Sequence, residues 1–311
     1  MVRCSVFLAL GLFAWIASSA GAKAQGAGAA DPGMATLRLT AALGAGAPLD
    51  GGLHWRIFSA HADADGAHAL VAESSLAQPS LKLPAGDYVL HVAFGLASAT
   101  RSVSLAAEAH SEQLSLAAGA LRIHGTLGDT PIDPSKLALD IYVPERNNSQ
   151  AKLVWAKARV GEVIGVPEGT YHIASTYLDS VGVGSVGVGK PGGGAPGAPV
   201  ETNSIVSGDV RVAPGKIVDV TLRHRFATLT IKLVNTPGAE ALANTTFTVL
   251  TPGGDIIREL IGAFPSLVLA EGEYVVIARH DSKTFQATFQ VQSGMDRDVE
   301  VIAQESANQG Q

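Results

Sequence analysis

Apolar residues recur at every second position through most of this chain, and one such stretch is written three times. It reads LKLPAGDYVLHV from Leu81 to Val92, IGVPEGTYHIAS from Ile164 to Ser175, and LVLAEGEYVVIA from Leu267 to Ala278. Alternation with period two is the pattern of a β-strand with one buried face. It puts Tyr88, Leu90, Val92 and Phe94 on one side of a strand and Val89, His91 and Ala93 on the other. Between the two runs of each copy stand Pro84-Ala85-Gly86, Pro167-Glu168-Gly169 and Ala270-Glu271-Gly272. Proline fixes φ and glycine accepts positive φ, so a tight corner between strands is expected. A tyrosine two residues past the glycine has the spacing of a tyrosine corner, its ring in the core and its hydroxyl bonded back to the backbone. Gly86, Tyr88, Gly169, Tyr171, Gly272 and Tyr274 are therefore the expected structural corners. Leu90, Ile173 and Val276 occupy the position of the inter-sheet cysteine of an antibody domain, so packing replaces a bridge.

Other alternating runs surround each corner. ATLRLTAAL and GLHWRIFSA precede the first, and strands near Leu70 and Val71, from Thr100 to Leu105 and from Glu112 to Leu116 complete it. ALRIHGTL opens a second copy and ATLTIKLV a third. No stretch has helical period with caps, and Gly or Pro interrupts about every ten residues, as in an all-β sandwich. The fold class expected is all-β, three tandem Ig-like or prealbumin-like Greek-key sandwiches. Their expected bounds are 35–118, 119–226 and 227–303, with a small-residue linker over 25–34 and a polar tail over 304–311. Tyr88 and Tyr171 are 83 residues apart and Tyr171 and Tyr274 103, and the excess of 20 matches the Gly/Pro-rich insertion Val181 to Val200. That insertion reads foremost as a tolerated surface segment; a binding loop and a hairpin extension are the alternatives. Closing strands run almost directly into the next opening strand, which predicts a semi-rigid rod.

The first residues carry Arg3, an apolar run from Val6 to Ala17, and small residues ending Ala22-Lys23-Ala24. This is the pattern of a secretory signal cut after Ala24, with an apolar core too short for a comfortable membrane span. The expectation is an exported protein, periplasmic or extracellular, without a transmembrane anchor. Cys4 is the one cysteine, so no disulfide is expected in the mature chain and stability must come from burial. The net charge of −6 argues against nucleic acid as a partner.

The LPAGDY, VPEGTY and LAEGEY corners resemble those of carboxypeptidase-regulatory-like and transthyretin-like (prealbumin-like) sandwich modules, over about Ala35 to Ala303. The resemblance implies non-catalytic modules that space, stabilise, or bind proteins and polysaccharide. Ala270 stands where the first two copies have proline. Some related modules carry a Lys–Asn isopeptide bond; Lys232 lies on a first strand, but the matching last strand VEVIAQ has no asparagine, so that chemistry is not expected.

Candidate chemistry lies where the copies differ. HADADG places His61, Asp63 and Asp65 at alternate positions before Gly66, as a calcium loop begins, which makes Asp63 and Asp65 the candidate metal ligands. The twelfth position is Ala72, however, and Asp-Ala-Asp-Gly is also ordinary turn chemistry. Nine histidines form no ligand-spaced pair and are expected on solvated faces. Trp55 shares the parity of Leu53 and Ile57 and belongs to the core, whereas Trp155 is a candidate sugar-stacking residue. Asn147-Asn148-Ser149 and Asn244-Thr245-Thr246 match glycosylation sequons. No nucleophile elbow, H-E-x-x-H or phosphate loop occurs. The chain is read as a non-enzymatic envelope or periplasmic protein with no cofactor, binding a protein or envelope polysaccharide. A carbohydrate- or calcium-binding secreted protein is the alternative.

Overall fold

The structure is a computed structural model and describes residues 33–144, 151–180, 185–186 and 199–304. The candidate signal, its cleavage site, the sequon at Asn147, most of the insertion and residues 305–311 lie outside the described residues. The fold is all-β, three β-sandwiches in tandem.

The first sandwich comprises β1 (Met34–Leu43), β2 (Leu53–Ala62), β3 (His68–Ser74), β4 (Ser80–Pro84), β5 (Gly86–Phe94), β6 (Ala97–Leu105) and β7 (Ala109–Leu116). The second has β8 (Ala118–Leu127), β9 (Thr130–Pro131), β10 (Leu137–Val143), β11 (Lys152–Ala158), β12 (Val163–Pro167), β13 (Gly169–Ser180), β15 (Pro199–Val212) and β16 (Ile217–His224). The third has β17 (Phe226–Val234), β18 (Thr246–Leu250), β19 (Ile256–Ile261), β20 (Ser266–Ala270), β21 (Gly272–His280), β22 (Lys283–Val291) and β23 (Arg297–Ile302). One short strand, β14 (Ser185–Val186), comes from the insertion.

All three share one plan. A sheet built on three strands (β4-β1-β7, β12-β8-β16 with β9 also pairing β8, β20-β17-β23) faces a second one (β3-β2-β5-β6, β11-β10-β13-β15, β14-β19-β18-β21-β22). In each small sheet the opening strand pairs antiparallel with the strand before the corner and parallel with the closing strand. The corner thus carries the chain from one sheet to the other. Alternation explains the interior: Leu37 and Leu39 of β1 meet Trp55, Ile57, Leu90 and Val92 in the first core. Leu121, Ile123, Ile141 and Ile173 fill the second, and Leu229, Ile231, Phe247 and Val276 the third.

The sandwiches are joined with almost no linker. Ala118 already pairs with Pro167 of the second sandwich, and Phe226 with Ala270 of the third. The insertion is more than a surface loop at two points. Pro199 and Val200 continue the β13–β15 ladder opposite Ser180 and Asp179. Ser185 and Val186 pair with Leu260 and Glu259, so a segment of the second sandwich adds an edge strand to the third.

Candidate functional site

The corners come first, because they set where the sandwiches meet. Tyr88 Oη donates to the Pro84 carbonyl at 2.8 Å, Tyr171 Oη to Pro167 at 2.8 Å, and Tyr274 Oη to Ala270 at 2.9 Å. Burial pushes all three phenols above their ordinary pKa. Gly86 (φ 157°) and Gly272 (φ 158°) have the positive φ expected of a corner glycine, whereas Gly169 does not. One residue separates the two strands at each corner.

Two of the three corner strands, β12 and β20, are also docking rails. At the first junction the β5–β6 turn lies across β12, where Leu96 N–H donates to the Gly165 carbonyl at 2.7 Å. A Cβ on Gly165 would stand 2.2 Å from Phe94 Cδ1 and 2.3 Å from Phe94 O, so only glycine admits this contact. At the second junction the longer β13–β15 hairpin lies along β20. Asn203 Oδ1 accepts from Ala270 N–H at 2.9 Å while its Nδ2 donates to the corner hydroxyl of Tyr274 at 2.8 Å. Asp179 Oδ2 accepts from Val268 N–H at 3.2 Å and stands 3.7 Å from Arg258 Nη1, whose Nη2 donates to the Glu201 carbonyl at 3.1 Å. Burial pulls the Arg258 pKa down and Asp179 pulls it back up.

Behind this junction lies a group the sequence did not reveal. His224 was expected on a solvated face, yet it is fully buried. Its Nε2 lies 2.8 Å from Ser175 Oγ and its Nδ1 3.0 Å from Ser204 Oγ, and Tyr177 packs on Phe226 beside it. Burial holds its pKa below the ordinary histidine value. Sealed from solvent, this Ser–His–Ser cluster meets no substrate; it satisfies buried polar groups. Two signals could have marked the junctions: at the second, Arg258 shares the parity of buried Leu260, and at the first, Gly165 interrupts an apolar corner strand.

The candidate ligand residues separate. Asp63 Oδ1 accepts from Asp65 N–H at 3.0 Å and Ala67 N–H at 2.9 Å, so this carboxylate closes its own turn. Among the described residues no group of three or more His, Cys, Asp or Glu side chains is placed to hold a metal ion. Of the other histidines, His172 Nδ1 lies 2.8 Å from Asp209 Oδ1 and His91 is half-buried with an unpartnered Nδ1. Lys232 bridges Asp298 at 3.2 Å and Glu300 at 3.1 Å on the neighbouring closing strand. Trp55 is buried in the first core.

Trp155 lies in a different setting. It is half-buried at the edge of the second core and lines a crevice of about 390 Å³ between the first and second sandwiches. His54, Phe94 and Gly95 form one wall; Trp155, Lys157, Arg159 and Glu162 form the other. A bulge shapes that second wall: Leu139 pairs with Ala158 but Ile141 with Trp155, so Asp140 stands opposite two residues. Lys157 takes up the extra residue at φ 53°, its N–H donating to Asp140 Oδ1 at 2.9 Å.

Comparison with known proteins adds a repeat type. Residues 228–303, the third sandwich, match the Rhizobiales growth-associated tandem repeat domain. Among solved structures, the Bacillus anthracis TIE protein is similar at 16% identity, with 87% of this chain and 51% of that one covered and a TM-score of 0.24. This chain therefore spans about half of that structure's length. The Streptococcal ancillary pilin is similar at 10% identity, covering 87% of this chain and 99% of that one, with a TM-score of 0.29. BcpA, the major pilin subunit of Bacillus cereus, is similar at 9% identity, covering 87% and 100%, with a TM-score of 0.22. Scores this low carry no argument about what this chain does. The search of curated proteins found no match.

Proposed function

We propose that this is a non-catalytic, exported interaction protein of the bacterial envelope or periplasm, whose three sandwiches hold a binding surface at fixed spacing. The observation that supports it most is the docking of each sandwich's hairpin onto the corner strand of the next. Leu96 N–H bonds to the Gly165 carbonyl, and the Asn203 side chain accepts from the Ala270 amide, so each junction is tied to the backbone of a corner strand. The linkers leave one residue, Ala117 or Arg225, between consecutive sandwiches. Export rests on the candidate signal over 1–24. Among the described residues no helix is long and apolar enough to cross a membrane. The corner motifs' resemblance to carboxypeptidase-regulatory-like and transthyretin-like modules supports the same non-enzymatic reading.

Fusing residues 1–30 to a reporter enzyme tests export, and affinity capture from the envelope fraction tests interaction. The reading expects the reporter outside the cytoplasm and a reproducible protein or polysaccharide partner. A cytoplasmic reporter, or a chain that recovers no partner, overturns it.

A further inference from the structure

We infer that the second junction is an acid-operated latch: proton uptake by His224 releases the third sandwich from the second and leaves the first junction closed. The latch rests on the docked array proposed above and adds a condition under which one of its joints opens.

The place of the ring comes first. His224 is the last residue of β16, and one residue, Arg225, separates it from Phe226 at the start of the third sandwich. The ring spans the docking hairpin, with Ser175 of β13 at 2.8 Å from one nitrogen and Ser204 of β15 at 3.0 Å from the other. Both serines are buried. The hairpin ladder is open at this point. Thr176 pairs with Ile205 but Leu178 with Glu201, so Thr202, Asn203 and Ser204 all stand opposite Tyr177. Side chains replace the ladder here: Thr202 Oγ1 donates to the Tyr177 carbonyl at 2.9 Å and accepts from Ser204 N–H at 3.1 Å. The same segment does the docking, because Asn203 holds the Ala270 amide and the Tyr274 hydroxyl of the third sandwich. Adjacent residues of one bulge therefore bind the histidine and the neighbouring sandwich. Bulges of this kind re-aim side chains where a strand must do more than pair.

The surroundings make the ring intolerant of charge. It faces Ser175 and Tyr177 from β13, Ser204 from β15 and Phe226 from β17, and its partner across the sheet in β8 is Leu127. Of these, Tyr177 is the titratable group, and its phenol stays neutral: burial raises its pKa, and Asp179, Asp296 and Asp133 raise it further. Those carboxylates are engaged elsewhere, Asp179 by Arg258 and the Val268 amide, Asp296 by the Thr228 amide and Asp133 by Ser135. Among the described residues no carboxylate bonds the ring. A neutral imidazole takes a proton from one serine and gives one to the other. An imidazolium makes both nitrogens donors, so one hydroxyl must turn away, and a buried charge is left without a counter-charge. Water reaches that charge only if the bulge swings off the ring, and Asn203 leaves β20 with it. The first junction has no such group: Leu96 N–H on the Gly165 carbonyl and Phe94 against Gly165 hold it, and neither contact titrates.

Pulsed dipolar spectroscopy of the full chain tests this, with Cys4 replaced by serine and one spin-label pair across each junction. Leu76→Cys with Leu153→Cys spans the first and Leu153→Cys with Phe264→Cys the second, all at exposed sites. A hydrated ring protonates near about pH 6.5, so one proton shifts the docked-to-undocked ratio by up to about tenfold for each pH unit below that. On going from about pH 7.5 to about pH 5, the second-junction distribution should broaden while the first stays narrow. His224→Gln, whose amide can accept from one serine and donate to the other without charge, should keep the second junction narrow throughout. A second junction that stays narrow in acid, two junctions that broaden together, or equal broadening in His224→Gln overturns the latch. If the glutamine variant does not fold, the contrast between the two junctions of the unaltered chain decides. A second-junction distribution already broad at neutral pH overturns the array itself, and the latch with it.

Discussion

The two junctions use one geometry and two chemistries. In both, a hairpin of the earlier sandwich lies on the corner strand of the later one. At the first junction the contact works by subtraction: Gly165 has no side chain, Phe94 fills its space, and backbone bonds to backbone. At the second it works by pairing: Asn203, Asp179 and Arg258 satisfy one another and the β20 amides, with His224 sealed behind. The same position in the three corner strands makes the point. It is Gly165 and Val268 where a hairpin docks, both buried, and Lys82, exposed, in the first sandwich where none does. A small or apolar residue at that position marks a covered rail.

The comparison can be broken most severely at the second junction. Asp179→Ala leaves Arg258 buried without its counter-charge, which costs about 3 kcal/mol, the low end for a broken buried pair because Asp179 keeps some exposure. Calorimetry should show the second and third sandwiches losing their joint transition. At the first junction, Gly165→Val forces Phe94 off the rail at about 1–3 kcal/mol. Its cost should appear as undocking of the first sandwich, with the melting of the third unchanged.

Smaller effects sharpen the same contrast. Tyr88→Phe removes one corner bond, worth about 1 kcal/mol. Tyr274→Phe removes that bond and the one from Asn203, so it should cost measurably more in matched denaturant titrations. Equal losses would mean that Asn203 contributes nothing to the junction. The last effect depends on pH. Burial holds His224 below its ordinary pKa in the folded chain, whereas the unfolded chain takes up the proton near about 6.5. Stability from keeping it neutral is full above that pH and is lost as pH falls below it. His224→Gln should flatten the melting-temperature curve between neutral and mildly acidic pH, leaving the slope from His91, whose pKa burial and Arg56 also lower.

Much of this architecture was legible because it is periodic. Strand parity fixes which side chains face inward, so Leu90, Val92 and Trp55 could be assigned to a core without knowing their partners. The junctions were not legible for the opposite reason. Asn203 and Ala270 are 67 residues apart, and Asp179 and Val268 89, with no repeat to tie them together. Histidine was read by its usual exposure, and His224 departs from that because two hydroxyls 49 and 20 residues away satisfy its ring. Trp155 stood undecided between core and surface in the sequence, and its place at the core's edge, facing a second sandwich, is why parity could not resolve it.

The central claim is that the three sandwiches form one fixed array. Spin labels at Leu76→Cys in the first sandwich and Met295→Cys in the third, both exposed and in a chain with Cys4 replaced by serine, report on it by pulsed dipolar spectroscopy. The account predicts one narrow distance distribution that broadens in Gly165→Val and in Asp179→Ala. A broad distribution in the otherwise unaltered chain would contradict it.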